Sequence, residues 1–521
     1  MSTRESYAVW GWGDPADAPT PGSLAEVAPL LEAVTGIAPQ DPEAPAGLAA
    51  LPAPRRDLPP SLAHLASTDP VDRARHGIGR AYRDLVRGIR GVLTDVPDLV
   101  VRPTTEQDVV DVLEWATSAG APVVPFGGGT SVVGGVEPRD LHGAISLDLS
   151  RLAGLVEVDA TSRAVLLRAG TTGPAAEAAL KQHGLTLRFY PQSFERATVG
   201  GWVVTRAAGH FSSGPTHVDD LVESVRAVTP VGVWESRRLP GSGAGPSPDR
   251  MLLGSEGTLG VVTQAWLRAQ PRPAHRWQAT LAAPDFLTGA AAARSLVQAG
   301  LAPAAARVLD PVEATLSGSL DTGEAVLVLG LESLGAPLHE ASATARDLCR
   351  AAGLRVLSEG GRGESGEAWR STFLRAPYLR ESLVLLGTLV ETFETAVTWD
   401  RLEELVASVT AAVEDALRRV CGGGRVGVRL THVYPDGCAP YFTVVAPARR
   451  GSEVAQWDEV KAAASDALLA AGGTITHHHA VGRDHRPWYD VQRPEPFAAA
   501  LTGAKRAVDP AGVLNPGVLL G

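Results

Sequence analysis

PFGGGTSVVGG, residues 125–135, is the stretch that decides how this chain folds. Three successive glycines follow an apolar strand, so their backbone N–H groups stand unshielded by side chains, and Thr130 and Ser131 add hydroxyl donors. Such a nest suits a diphosphate. It fits neither G-x-G-x-x-G nor the Walker pattern, because no GK[ST] follows. A Rossmann dinucleotide fold and a P-loop ATPase are therefore disfavoured.

Working outward, LVVRP (99–103) reads as a strand and TEQDVVDVLEWATSAG (105–120) as a helix with a Thr/Glu start and a Gly stop. AISLDLSRL (144–152) is another strand, VEVDATSRAVLLRAG (156–170) a hairpin, and TTGPAAEAALKQHG (171–184) a helix with Pro in its first turn. These short elements predict a mixed α+β domain reaching about residue 271. From 275 to 490 longer helices (PVEATL, 311–316; HEASATARDLCRAAG, 339–353; TAVTWDRLEELVASVTAAVEDALRRV, 395–420) alternate with strands (EAVLVLGLE, 324–332; YFTVVAP, 441–447). That order predicts an antiparallel sheet under helices. Residues 1–60 are rich in Pro and Ala and read as irregular, with PAPRRDLPP (52–60) a loop. ESRRLPGSGAGPSPDR (235–250) and SEGGRGESGE (358–367) read as surface loops. The arginine-dense segment RARHGIGRAYRDLVRGIRG (73–91) is either a solvated face or a surface that meets an anionic cofactor or substrate.

The 521 residues suggest two to four domains. A net charge of −11 without a basic block argues against nucleic acid. Three cysteines, Cys349, Cys421 and Cys438, show no CxxC spacing, which argues against a disulfide scaffold and a cysteine-held metal. The first residues lack signal-peptide architecture, and the longest apolar run, Ser382–Val390, is too short to span a bilayer. A cytoplasmic protein is expected.

Three further segments follow the glycine loop: QSFERATVGGWVVTRAAGH (192–210), LLGSEGTLGVVTQA (252–265) and VDPAGVLNPGVLLG (508–521). In this order the four resemble the vanillyl-alcohol oxidase, or PCMH-type, FAD-binding family. The resemblance implies an α+β fold: a two-part PCMH-type FAD-binding domain plus a cap domain of antiparallel sheet covered by helices. It divides the chain into an N-terminal helical or irregular segment (1–94), the FAD-binding domain (95–275), the cap, or substrate, domain (276–495) and a C-terminal segment returning to the FAD domain (496–521). It places Pro125, Phe126, Gly127, Gly128, Gly129, Thr130 and Ser131 on the diphosphate. Gln192, Ser193, Thr198, Gly200, Gly201, Thr205, Arg206, Ala207 and Ala208 would line the flavin. Glu256, Gly257, Thr258, Leu259, Gly260, Val261 and Val262 would serve the isoalloxazine and adenine ends. No residue matches a covalent flavin anchor, so dissociable FAD is expected.

A narrower resemblance joins WGWGD (10–14), ATVGGWVVTRAAG (197–209), RLPGSGAGPSPDRMLLGSEGTLGVVT (238–263), RVLD (307–310), APYLRE (376–381), THVYPDGCAPYF (431–442) and GGTITHHHAVGR (472–483). In that order they resemble the alkyldihydroxyacetonephosphate synthases over nearly the whole chain, least over 15–60 and 312–365. Those enzymes exchange the acyl group of acyl-dihydroxyacetone phosphate for a fatty alcohol, with no net redox change. The resemblance implies ether lipid synthesis by way of a covalent adduct on flavin N5. It further implies a base among His477, His478 and His479, an acid/base Tyr441 with Tyr434 a weaker candidate, and a phosphate clamp of Arg380 and Arg307. Imidazole accepts protons near neutrality, and the guanidinium fork suits phosphate oxygens. No metal is expected: neighbours on a strand face opposite ways, so at most two of the three histidines could share one. The partners implied are lipid-like small molecules and a second subunit in a homodimer. An acylated substrate points to a membrane surface, although no amphipathic anchor is evident.

The sequence also departs from that family. HFSSGPTHVDDLV (210–222) stands where the synthases carry Tyr-Gly ahead of I-E-D-L-V, and the tail NPGVLLG (515–521) looks like that of generic flavin oxidoreductases. The rival reading is a flavin-linked D-2-hydroxyacid dehydrogenase or oxidase of the lactate or glycolate type. Those enzymes resemble H-x-G-D-G-N-x-H and E-H-G-x-G at their metal ligands. Here the residue seven beyond His432 is Ala439, and His478 replaces the acid of E-H-G, so a divalent metal should bind poorly. The synthase-like reading is preferred. A flavin-holding protein without catalysis is a third reading, opposed by the tyrosine, arginines and histidines just named.

Overall fold

The computed structural model describes residues 3–316, 323–360 and 376–520. They form an α+β protein whose first unit has two parts, with an antiparallel cap above it.

One part of the first unit is a four-stranded sheet in the order Ala66–Ser67, Leu99–Val101, Ile145–Asp148, Val123–Phe126. The last three run parallel. Their nearly unbroken apolar text is what a sheet buried on both faces requires. The crossover helix Glu106–Ala119 begins at Thr105, whose hydroxyl accepts the Asp108 N–H, and stops at Gly120 in the left-handed region (φ 57°). Val109, Val112, Leu113 and Ala116 form its buried stripe at helical spacing. The other part is a five-stranded antiparallel sheet ordered Leu155–Asp159, Ala164–Arg168, Val261–Arg268, Val222–Thr229, Gly232–Glu235. Both parts share one apolar core, which Val513 and Leu514 join. The glycine loop leaves the end of strand Val123–Phe126.

The cap is an antiparallel sheet ordered Arg355–Gly360, His275–Ala283, Ala325–Ser333, Ala305–Leu309, Arg425–Val433, Gly437–Pro447, Thr388–Glu394. Helices Phe286–Gln298, His339–Ala351, Leu402–Cys421 and Glu453–Ala470 contribute apolar faces to its core. Register sets Arg429 and Glu394 on either side of Tyr441, and Thr392 beside Thr443. With a two-residue period, Arg429, Thr431, Tyr441, Thr443 and Thr392 therefore share the face away from that core.

Four local expectations need correction. Residues 1–60 are not wholly irregular: Thr3–Trp10 and Pro21–Thr35 are helices. Thr20 caps the second, and Gly36 (φ 73°) ends it, but Pro21 and Pro29 give its text the look of a loop. Tyr7, Trp10, Leu24 and Leu31 bury their side chains in the cap's core. The helix read from 395 begins only at Leu402, because Val397–Thr398 pairs with strand Gly437–Pro447. The triple histidine lies in a loop, not on a strand. In the expected loop 358–367, residues 358–360 end a strand, and 361–367 lie outside the described residues. Among the described residues no helix is long and apolar enough to cross a membrane.

A candidate active site between the glycine loop and the cap

A cavity of about 640 Å³ runs from the glycine loop to the polar face of the cap sheet. That volume is in the usual range for small-molecule sites. From the first unit its wall takes Pro125, Phe126, Gly127, Gly128, Gly129, Thr130, Ser131, Gln192, Ser193, Thr198, Gly200, Gly201, Thr205, Ala207, Ala208, Glu256, Gly257, Gly260, Val261 and Val262. The cap and neighbouring segments add Arg307, Arg380, Tyr441, His478 and His479. Five residues singled out from the sequence are not on the wall. Arg206 (φ 51°) pairs with Asp219 at 2.8 Å, Thr258 is buried with its hydroxyl on the Ser255 carbonyl, Leu259 lies in the core, His477 lies beside His478, and the Tyr434 hydroxyl meets His477 Nε2 at 2.8 Å.

The glycine loop is shaped by close approach. A Cβ at Gly128 would lie 2.0 Å from the Arg196 carbonyl oxygen, and Gly129 sits at φ 64°. Among the described residues the N–H groups of Gly128, Gly129, Thr130 and Ser131 donate to nothing. Four idle amides on a cavity wall fit a diphosphate. The field agrees with that fit. The Arg80 N–H donates to the Ser131 carbonyl, and among the described residues no carboxylate lies within ion-pair distance of Arg75 or Arg80. Burial, then the charge of Arg75, brings Arg80 down to about 10; Arg75 is lowered by burial and by Arg196. The arginine-dense segment thus sends part of its charge inward, beside the loop.

Glu256 ties the units together. Its carboxylate accepts the N–H groups of Val481 and Gly482, and burial pushes it up to about 7. The Asn515 side chain donates to the carbonyls of Gly135 and Glu256 at 3.2 and 2.7 Å.

On the cap side, the buried carboxylate of Glu394 organises the histidine loop. It accepts the N–H groups of His477, His478 and His479 and the Thr476 hydroxyl. Burial would raise it, but His478, His479 and these donors outweigh burial and hold it well below the ordinary carboxylate value. The histidines shift oppositely to an exposed imidazole: burial lowers His478, brings His479 to about 3 and holds His477, His432 and His485 well below 6.5. A neutral imidazole facing an ionised carboxylate is the state that follows at neutral pH. The sign for stability is then fixed. Unfolding exposes imidazoles that take up protons below about 6.5, whereas the folded chain stays neutral to much lower pH. The thermal midpoint is expected to fall as pH drops from 7 to 5, as differential scanning fluorimetry will read; a flat profile would contradict it.

Tyr441 is buried, its rings lying 6.2 Å from His478 and 5.6 Å from His479. Burial raises its phenol. The Arg429 guanidinium covers that ring at 4.0 Å and pairs with Glu313 at 2.6 Å. Arg307 donates to the His210 carbonyl, and burial lowers it to about 9. Arg380 donates to the Arg80 carbonyl at 2.7 Å, while its buried Nε has no partner. Trp12 closes the wall, held by Glu381, which the Tyr7 hydroxyl also meets at 2.8 Å.

The sequence reading passed over Glu394, Arg429, Glu313 and Trp12. Arg429 could have been found, because RVGVRLTHV (425–433) alternates and puts an arginine on the face Tyr441 occupies. His432, His477 and His478 bring donor nitrogens within 4.8 Å of one another. Within this group His432 Nε2 lies 3.0 Å from the Gly209 carbonyl, and His477 Nδ1 lies 3.0 Å from His478 Nδ1.

Comparison with known proteins agrees with this layout. Residues 97–236 match the FAD binding domain family, and residues 272–519 match the C-terminal domain of FAD linked oxidases. An alkyldihydroxyacetonephosphate synthase of Trypanosoma brucei brucei is 28% identical over 481 residues, 87% of this chain and 78% of that protein. A second from Dictyostelium discoideum is 28% identical over 87% of this chain and 78% of its own length. A glycolate oxidase subunit of Bacillus subtilis is 25% identical over 81% of this chain and 88% of its own. A solved alkyldihydroxyacetonephosphate synthase superposes with a TM-score of 0.77 at 23% identity, covering 95% of this chain and 91% of that one.

Proposed function

We infer the function of this chain from the premise that it belongs to the FAD-linked oxidases, whose FAD binding domain and C-terminal domain it carries in order. It is an FAD-dependent enzyme. We propose that it acts as an alkyldihydroxyacetonephosphate synthase-like transferase, replacing the acyl group of acyl-dihydroxyacetone phosphate by a fatty alcohol. The observation that carries this reading is one continuous cavity whose wall holds idle loop amides at one end and Arg380, Tyr441 and His478 at the other. The curated relatives at 28% identity support it.

FAD, when bound, supplies the reactive ring at which the exchange takes place. Gly128–Ser131 would hold its diphosphate, with Arg75 and Arg80 as counter-charges. His478, kept neutral by burial, is free to take a proton from the carbon that bears the leaving group. Tyr441, kept protonated, donates or withdraws a proton at the departing carboxylate and incoming alcohol. Arg429 over its ring fixes that hydroxyl, and Glu394 fixes the histidine loop. The unpartnered Nε of Arg380 and the guanidinium of Arg307, both on the cavity wall, offer donors for the substrate phosphate. His477 stays off the wall and is assigned no direct contact.

In finer detail, we take residues 95–275 with 496–521 as the flavin unit and 276–495 as the cap. Dissociable FAD is part of this reading, because no residue of the sequence matches a covalent His or Cys anchor position. A cytoplasmic homodimer meeting its lipid-like substrate at a membrane surface completes the reading; it rests on resemblance and substrate chemistry.

Two assays side by side test it: palmitoyl-dihydroxyacetone phosphate with hexadecanol in one, D-lactate, glycolate or 2-hydroxyglutarate with a dye acceptor in the other. Ether formation is expected in the first. Turnover in the second alone would replace the synthase by a hydroxyacid dehydrogenase. Arg380→Lys is expected to raise KM for the phosphorylated substrate about tenfold or more while sparing an unphosphorylated analogue, since a point charge cannot reproduce the planar fork. Equal losses for both would make Arg380 structural.

A further inference from the structure

The exchange leaves a proton to be disposed of. An ester R–CO–O–CH2– and an alcohol R′–OH become an ether R′–O–CH2– and a carboxylate R–COO⁻, with one proton over and no electron gained or lost. Carboxylic acids are ionised at neutral pH, so each turnover gives one proton up to water, and a route for it out of the cavity is needed wherever the product leaves as the carboxylate.

We infer that His477, Tyr434 and His217 form the path by which this proton leaves. The inference rests on the synthase reading above. His478, on the cavity wall, has its Nδ1 3.0 Å from Nδ1 of His477. On the far side of that ring, His477 Nε2 lies 2.8 Å from the Tyr434 hydroxyl and 3.0 Å from His217 Nε2. The Tyr434 hydroxyl continues to Thr216 Oγ1 at 3.3 Å. Tyr434 and His217 are only half-buried, and Gly214, Pro215, Pro435 and Asp436 beside them are exposed. The chain of contacts therefore begins at the cavity and runs to buried Thr216 and half-buried His217 and Tyr434, one residue from exposed backbone.

Each link can take a proton at one atom and release it at another, as imidazoles and hydroxyls do. His477 is the link that matters most: it bridges a wall residue to two half-buried residues nearer the surface without touching the cavity itself. Burial also holds it well below 6.5, so a proton passes through without resting there. His217 belongs to 210–222, the stretch in which this sequence departs from the synthases it resembles. Metal binding is the competing use of the same nitrogens. Against it, His432 donates from Nε2 to the Gly209 carbonyl, and its Nδ1 meets Thr431 Oγ1 at 3.0 Å.

The test compares Tyr434→Phe and His477→Ala with the unaltered holoenzyme in the ether-forming assay, alongside flavin content and metal content by mass spectrometry. Tyr434→Phe is expected to lower kcat about tenfold and His477→Ala about a hundredfold, with KM and bound FAD unchanged. Added imidazole is expected to restore much of the His477→Ala rate. A wild-type kcat in Tyr434→Phe would overturn the path. So would a His477→Ala defect that imidazole does not relieve and that accompanies loss of FAD, which marks a structural role. Stoichiometric zinc in the purified protein would overturn it too, by giving the nitrogens to a metal. Should the unaltered enzyme itself form no ether, the synthase reading falls and the path with it, a result distinct from the other three.

Discussion

Gly128→Glu is expected to give a folded but colourless protein. The first atom of any side chain there would lie 2.0 Å from the Arg196 carbonyl oxygen, so the loop or the 192–198 segment must shift. The rest of the glutamate would place a carboxylate beside amides that have no acceptor of their own and that suit an anion. Crowding and like-charge repulsion against a diphosphate act together. A loss of affinity of at least a thousandfold is expected, about 4 kcal/mol. Absorbance between 350 and 500 nm after adding FAD, on the order of one cofactor per chain for the unaltered protein, reads the result directly. Circular dichroism should stay native, because Gly128 lies outside both cores. A yellow variant of native stoichiometry would mean that the diphosphate sits elsewhere.

Tyr441→Phe and His478→Ala are expected to do the reverse: both keep the cofactor and both lose turnover. Each lines the cavity from outside the glycine loop, Tyr441 from a cap strand and His478 from the histidine loop. Proton transfer by a positioned group is typically worth about 10²- to 10⁴-fold, so kcat should fall into that range below wild type. Tyr441→Phe removes one oxygen from a ring still covered by Arg429, which makes it the cleaner of the two. Flavin content and thermal midpoint near wild type, with rates lowered as stated, would match expectation. Wild-type rates in both would remove these residues from the reaction.

Much of the flavin unit was legible because local rules and global packing agree there. A capped helix between apolar strands, a hairpin with polar turn residues and a glycine run after a strand each say the same thing twice. The N-terminal helices escaped because prolines at 21 and 29 look like loop text, whereas the tertiary burial of Leu24 and Leu31 decides the matter. The start of the long cap helix escaped for a related reason: Val397 and Thr398 are equally good in a helix-like run, but strand Gly437–Pro447 offers them a partner. Within the site, Tyr441, Arg380, Arg307 and the triple histidine came from resemblance. Glu394 could not, since a glutamate in TLVETFE reads as any exposed strand residue until three backbone amides are seen converging on it. The roles of Arg75 and Arg80 were left between two options because an arginine count carries no direction.

The Asn515 contact carries a consequence for how the molecule is born. Its side chain clasps the carbonyls of Gly135 and Glu256, and the Val123 N–H donates to the Val513 carbonyl at 2.8 Å. The rim of the nucleotide cradle is thus finished by residues nearly four hundred positions downstream of its floor. During synthesis the glycine loop would emerge from the ribosome long before its last clasp exists. Coloured holoprotein should consequently mature only once Val513 and Asn515 have been made and have left the ribosome, and a chain cut short ahead of them would stay apoprotein although the glycine loop itself is intact.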